Sequence, residues 1–174
     1  MIAPASPMLN LSGAPCHDRL IIELAGRPLT LRLKSFKYLL ALASARLLTP
    51  PPGDGWIAKT DIEPGENQIK YLYQLRRELA QGGHNNTTLI ENDGNGHYRL
   101  ALPPQAIRVD LSRLLEHPDW DIRARAGVLW DRLIAGQTRE TCKEAILKRF
   151  ISKDGKEEGT MSLLVPPTQS ESGV

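Results

Sequence analysis

The sequence predicts an α+β chain, and three observations predict it. Between Thr88 and Leu102 two apolar-alternating runs flank Asp93-Gly94-Asn95-Gly96, residues that tolerate the positive φ angles of tight hairpin turns. Directly before them, ENQIKYLYQLRRELA repeats apolar residues at helical spacing and stops near Gly82-Gly83. Earlier, Arg19 to Leu33 alternates around Ala25-Gly26-Arg27-Pro28, the pattern of a second hairpin.

Taken in order, residues 1–17 are rich in Pro, Ala and Ser with little periodicity and are expected to form a flexible arm. The N-terminal hairpin then places Leu20, Ile22 and Leu24 on one face of a strand and Leu29, Leu31 and Leu33 on one face of the next. From Ser35 to about Leu48 the residues Phe36, Leu39, Leu40 and Ala43 recur at helical spacing, until Pro50-Pro51-Pro52-Gly53 stops the helix. Gly55 to Ile62 is expected to make a turn or two of helix that brings Trp56 and Ile57 inward.

Pro64 and Gly65 open a helix over residues 66–80. At about 100° per residue, Ile69, Leu72, Leu75 and Leu79 share its inner side. The outer side then carries Asn67, Lys70, Gln74 and Arg77, with Tyr71 and Tyr73 at the margins. The 88–102 hairpin completes a unit spanning 18–102, and Pro103-Pro104 breaks the pattern. A helical extension is expected over 103–151, with helices near Trp120 to Ala135 (Ile122, Ala126, Leu129, Leu133 inward) and Thr138 to Ile151 (Cys142, Ala145, Ile146, Phe150 inward). A flexible tail is expected over 152–174.

Composition sets bounds. A chain of 174 residues suits one core with appendages. Its 2 cysteines, Cys16 and Cys142, are too far apart in sequence to specify a disulfide framework, and neither Cys16-His17 nor Cys142 with His117 has metal-site spacing. No stretch approaches the roughly 20 apolar residues of a membrane span, and the first residues lack the basic region of a secretory signal, so a cytoplasmic protein with no membrane partner is expected. The net charge of +2 falls wholly before Leu102, a weak footprint for nucleic acid unless the charges gather on one face. No nucleophile is placed with a base and no phosphate-binding glycine loop follows a strand, so neither catalysis nor a cofactor or metal is expected.

A helix with a basic outer face followed by a β-ribbon reads as a winged helix: N-terminal hairpin, three-helix bundle, C-terminal hairpin wing. With LTLRLKSFKYLLALA early and LYQLRREL then LIENDGNGHYRL late, the order resembles the OmpR/PhoB-type winged helix-turn-helix output domain of bacterial regulators over about Arg19 to Leu102, roughly half the chain. The resemblance implies a DNA-binding domain whose last helix reads the major groove. Leu72, Leu75 and Leu79 match that helix's core positions, Arg76 and Arg77 its paired arginines, and Tyr98-Arg99-Leu100 the last wing strand. The chain departs from the family in three places. Arg32-Leu33-Lys34-Ser35 replaces the capping box of the first helix, so that start must be held differently. Gly94-Asn95-Gly96-His97, preceded by Asp93, replaces the wing's usual arginine motif, and the loop before the last helix is short. No receiver domain precedes the motif, so a switch by aspartyl phosphate in cis is not expected.

The expectation is therefore a transcriptional regulator that binds double-stranded DNA through Asn67, Lys70, Gln74 and Arg77, with Asn95 and Arg99 beside them on the wing. Arg76, on the inner margin, is expected to pair with a carboxylate. The C-terminal helices would form a homodimer or hold a protein partner. The rival expectation is a winged-helix protein-interaction module, an accessory subunit of a larger assembly, favoured by near-neutral charge and an acidic wing tip.

Overall fold

The computed structural model describes residues 8–49, 52–65, 67–81 and 89–133. In chain order the elements are β1 (Leu9–Cys16), β2 (Arg19–Leu24), β3 (Arg27–Arg32), α1 (Leu33–Leu48), β4 (Ile57–Ala58), α2 (Lys59–Ile62), α3 (Gln68–Ala80), β5 (Ile90–Asn92), β6 (His97–Leu100), β7 (Ile107–Val109), α4 (Leu111–Leu115) and α5 (residues 120–133). The fold is mixed α+β, and no helix among the described residues is long and apolar enough to cross a membrane.

The first sheet has the order β3-β2-β1-β7, antiparallel except for the parallel β1–β7 pair. Alternation drives it: Leu20, Ile22 and Leu24 of β2 and Leu31 of β3 are buried. Ala25 and Gly26 both take positive φ, 51° and 78°, so only two residues close the β2–β3 hairpin, and Leu24 pairs with Arg27. Against this sheet lies α1, buried on more than one side, which also packs on α2, α3 and β6. Phe36, Leu39, Leu40 and Ala43 face the core as expected, and Tyr38, Ala41 and Leu42 are buried too. A helix apolar around most of its circumference belongs in the middle of a fold.

The second sheet has the order β4-β6-β5. The hairpin of β5 and β6 sits where the sequence places it, but the preceding segment differs from expectation. Ile57 and Ala58 pair with Tyr98 and His97 as a third strand, and helix begins only at Lys59. Trp56 remains 38% exposed instead of turning inward, with Arg99 over its ring at 4.7 Å.

Two expected boundaries are corrected. Residues 9–16 are a strand inside the first sheet, not a flexible arm, and Leu9 and Leu11 are fully buried. The alternation was hidden because the β1–β2 register shifts between Asn10 and Ala14, a stretch that includes Gly13, where φ is 61° and an added Cβ would collide with Leu114 Cδ2. Likewise residues 103–133 do not stand apart as a separate extension: β7 joins β1, and Leu114 of α4 is fully buried against the same core. The helix at 120–133 buries Ile122, Ala126 and Leu129 with Leu133 beside them, as expected. The helix expected at Thr138 to Ile151 and the tail at 152–174 lie outside the described residues.

At the start of α5 the Asp119 carboxylate accepts the N–H groups of Asp121 and Ile122, an N-cap, and Lys37 of α1 reaches both Asp119 and Asp121 at 2.7 Å. His117, buried, accepts the Asp119 N–H at Nδ1 (3.0 Å), which requires that nitrogen to be unprotonated. Burial lowers its pKa, with Arg123 and Lys37 acting in the same direction against Asp119.

Leu11→Ala is expected to cost about 2–5 kcal/mol in urea unfolding, the range for a buried leucine truncated in a core; a loss near zero would return residues 9–16 to a mobile arm. A lowered histidine pKa also has a sign. Above about pH 6.5 His117 is neutral in both states and its contribution is whole; as pH falls below that value the unfolded chain takes up the proton first, and stability declines until the folded-state pKa is passed. His117→Asn, which keeps an acceptor but cannot titrate there, is expected to flatten that part of the stability–pH curve, and an unchanged curve would rule His117 out as its source.

Candidate nucleic-acid interface

The candidate surface is the outward face of α3 and the adjoining three-stranded sheet. Leu72, Leu75 and Leu79 seat α3 on the core. Two buried polar side chains near its ends complete the seat. Gln68 donates its amide to the carbonyl oxygens of Glu63 (3.0 Å) and Gly65, tying down the loop that enters the helix. Glu78 accepts the Arg32 N–H at 3.0 Å and the Gln74 amide at 3.0 Å, so it holds the backbone at the start of α1, where Arg32 supplies no side-chain cap. This is how that start is held without a capping box.

The phase of α3 differs from expectation by a part-turn. Ile69 is 60% exposed, and Gln68 takes the inner position assigned to it. Tyr73 is 64% exposed, while Tyr71 is half-buried against Tyr38, with ring centroids 5.6 Å apart. The outer ridge therefore consists of Ile69, Lys70, Tyr73 and Arg77, with Asn67 exposed at the N-terminal end. Gln74 is half-buried and its amide is spent on Glu78. The signal for this phase was present in the sequence: the angular centre of Leu72, Leu75 and Leu79 alone lies about 90° from Ile69 at 100° per residue. Including Ile69 among the apolar set pulled the centre away.

Arg76 lies on the inner margin but bonds no carboxylate among the described residues. Its Nη2 donates to the Ile90 carbonyl at 2.8 Å and its guanidinium lies 5.9 Å from the Tyr98 ring centroid, joining α3 to the second sheet. Its buried Nε has no hydrogen-bond partner among the described residues.

On the β5–β6 hairpin the two expected contact residues have different fates. Asn95 is exposed at the tip. Arg99 is not free for a phosphate: it is half-buried, bonded through Nε to Glu91, paired through Nη1 with Asp54 at 2.8 Å, and stacked on Trp56. Two carboxylates more than cancel its charge. The tip itself is built on Asp93, whose Oδ1 accepts the N–H groups of Asn95 (2.7 Å) and His97 (3.0 Å) and whose Oδ2 meets His97 Nδ1 at 2.8 Å. Partial desolvation pushes this carboxyl up, but those N–H groups and the His97 ring outweigh it and hold the pKa below the ordinary aspartate value. Among the described residues no group of three or more His, Cys, Asp or Glu side chains is arranged to hold a metal ion.

A carbon-detected NMR titration of the Asp93 carboxyl is expected to give a midpoint below the ordinary value of about 3.9, and His97→Ala should move it upward. A midpoint at or above the ordinary value in the unaltered protein would show that the turn is not organised around this carboxylate.

Comparison with protein families, curated proteins and solved structures finds no match for this chain.

Proposed function

We propose that the chain is a winged-helix protein that binds duplex DNA as a transcriptional regulator, with α3 in the major groove and the β5–β6 hairpin beside it. The observation that carries this reading is the outward ridge of α3: Lys70 and Arg77, about two helical turns apart, are exposed and make no ion pair among the described residues. A helix of 13 residues preceded by a short helix and a tight loop, and followed by a protruding ribbon, has the dimensions a major groove admits. Lys70 and Arg77 would meet phosphate or guanine, and Asn67 an adenine edge or a phosphate. Gln74 and Arg99 act within the fold on this reading, so the contact set is smaller than the sequence implied.

A second reading is favoured by a specific observation. Ile69 and Tyr73 stand on the same ridge, and beside it Glu91 and Asp54 surround Arg99 while Asp93 holds the hairpin tip. Tyrosine, isoleucine and arginine together compose a protein-binding centre as readily as a DNA-binding one. In that case α3 docks on a protein and the fold is an accessory module.

Fluorescence anisotropy with a mixed-sequence duplex at low and moderate salt separates the two. DNA binding predicts that affinity falls with salt and that Arg77→Ala lowers the slope of log affinity against log salt by roughly one, while Arg99→Ala leaves the slope unchanged. Negligible affinity at low salt would eliminate the DNA reading and leave the protein-binding one.

A further inference from the structure

A cleft of about 690 Å³ opens between α1, the β4–α2 segment and α5, on residues that do not belong to the outer ridge of α3. Its volume lies within the roughly 300–1,000 Å³ of small-molecule sites. Leu48, Ile57, Trp120, Ile122 and Val128 supply an apolar wall. Most charges at its edge are already matched: Lys34 with Glu63, Lys37 with both Asp119 and Asp121, and the Tyr38 hydroxyl donating to Glu63 at 2.9 Å.

Arg125 is the exception. It lines the cleft from α5, is half-buried, and makes no hydrogen bond or ion pair among the described residues. Burial pushes its guanidinium below the ordinary value, and only the more distant Asp121 carboxylate, already held by Lys37, works against this. Asp61, also on the wall, is exposed and screened by water. A cation withdrawn from water without a partner is costly, and a ligand anion beside it offsets that cost. Guanidinium is suited to the task because its fork matches a carboxylate in two parallel hydrogen bonds.

We propose that this cleft binds a small monoanion with an apolar body, its carboxylate on Arg125 and its body against Leu48, Ile122 and Val128. The proposal stands apart from the DNA reading, since none of these residues lies on α3.

Isothermal titration calorimetry of the full chain with naphthalene carboxylate and with the matching neutral carboxamide tests it. The carboxylate is expected to bind saturably, one molecule per chain, and at least about tenfold more tightly than the carboxamide. Arg125→Met should abolish that preference while Arg125→Lys retains part of it, and Ala45→Phe, which fills the cleft from α1, should weaken both probes together. No binding of the carboxylate, equal affinity for the two probes, or undiminished carboxylate affinity in Arg125→Met would overturn the proposal. Should circular dichroism show that Arg125→Met does not fold, Ala45→Phe decides: unchanged carboxylate binding overturns the site.

Discussion

The seating of α3 on α1 is the constraint from which the outward chemistry follows. Three leucines, Leu72, Leu75 and Leu79, supply the apolar contact, but an apolar stripe alone tolerates a part-turn of rotation. The rotation is removed by Gln68 and Glu78, whose buried polar groups must find partners and find them on fixed backbone: the carbonyls of Glu63 and Gly65 at one end, the Arg32 N–H at the other. Turning the helix by one residue would bring Ile69 inward but would carry Gln68 and Glu78 to the exposed positions of Asn67 and Arg77, and the Arg32 N–H and the Glu63 and Gly65 carbonyls would lose these partners. A hydrogen bond to a charged group contributes about 1.5–3 kcal/mol and a neutral one about 0.5–1.5 kcal/mol, so their joint loss offsets the gain from one additional apolar side chain.

The β4-β6-β5 sheet follows a similar logic. Its three strands offer little apolar surface of their own, with Ile90, Tyr98 and Leu100 as the buried members, and the remainder of its cohesion is polar. Arg76 bonds the Ile90 carbonyl from α3, Arg99 gathers Glu91 and Asp54 over Trp56, and the Lys59 N–H at the start of α2 reaches the Gly96 carbonyl at 3.0 Å. Each of these ties the ribbon to a different element. The arginine that the resemblance pointed to as a contact is consumed in holding the ribbon in place.

What the sequence made legible was whatever periodicity encodes. Hairpin β2–β3, helix α1, the β5–β6 hairpin and the buried stripe of α5 all carry uninterrupted patterns of period 2 or 3.6, and the chain follows them. Strand β1 was not legible because the register shift between Asn10 and Ala14 interrupts its alternation, and β4 and β7 were not because two or three residues hold no pattern. Both strands take their conformation from partners distant in sequence, Tyr98 for Ile57 and Leu9 for Ile107. Four of the six candidate contact residues, Asn67, Lys70, Arg77 and Asn95, are exposed where expected, whereas Gln74 bonds Glu78 one helical turn on and Arg99 bonds Glu91 directly across the hairpin, pairings that the local spacing records, and Asp54, which it does not.

The charge left over sets the scale on which the ridge can act. With Gln74 and Arg99 internal, the cations of the candidate interface reduce to Lys70 and Arg77, and the Asp93 carboxylate at the hairpin tip is bound to its own turn. Two phosphate contacts give a salt slope of only about −2, against the −6 to −10 of domains that track a backbone by charge alone. On the proposed reading, affinity for DNA then rests more on the fit of Ile69 and Tyr73 into the groove and less on counterion release, and a single copy binds weakly.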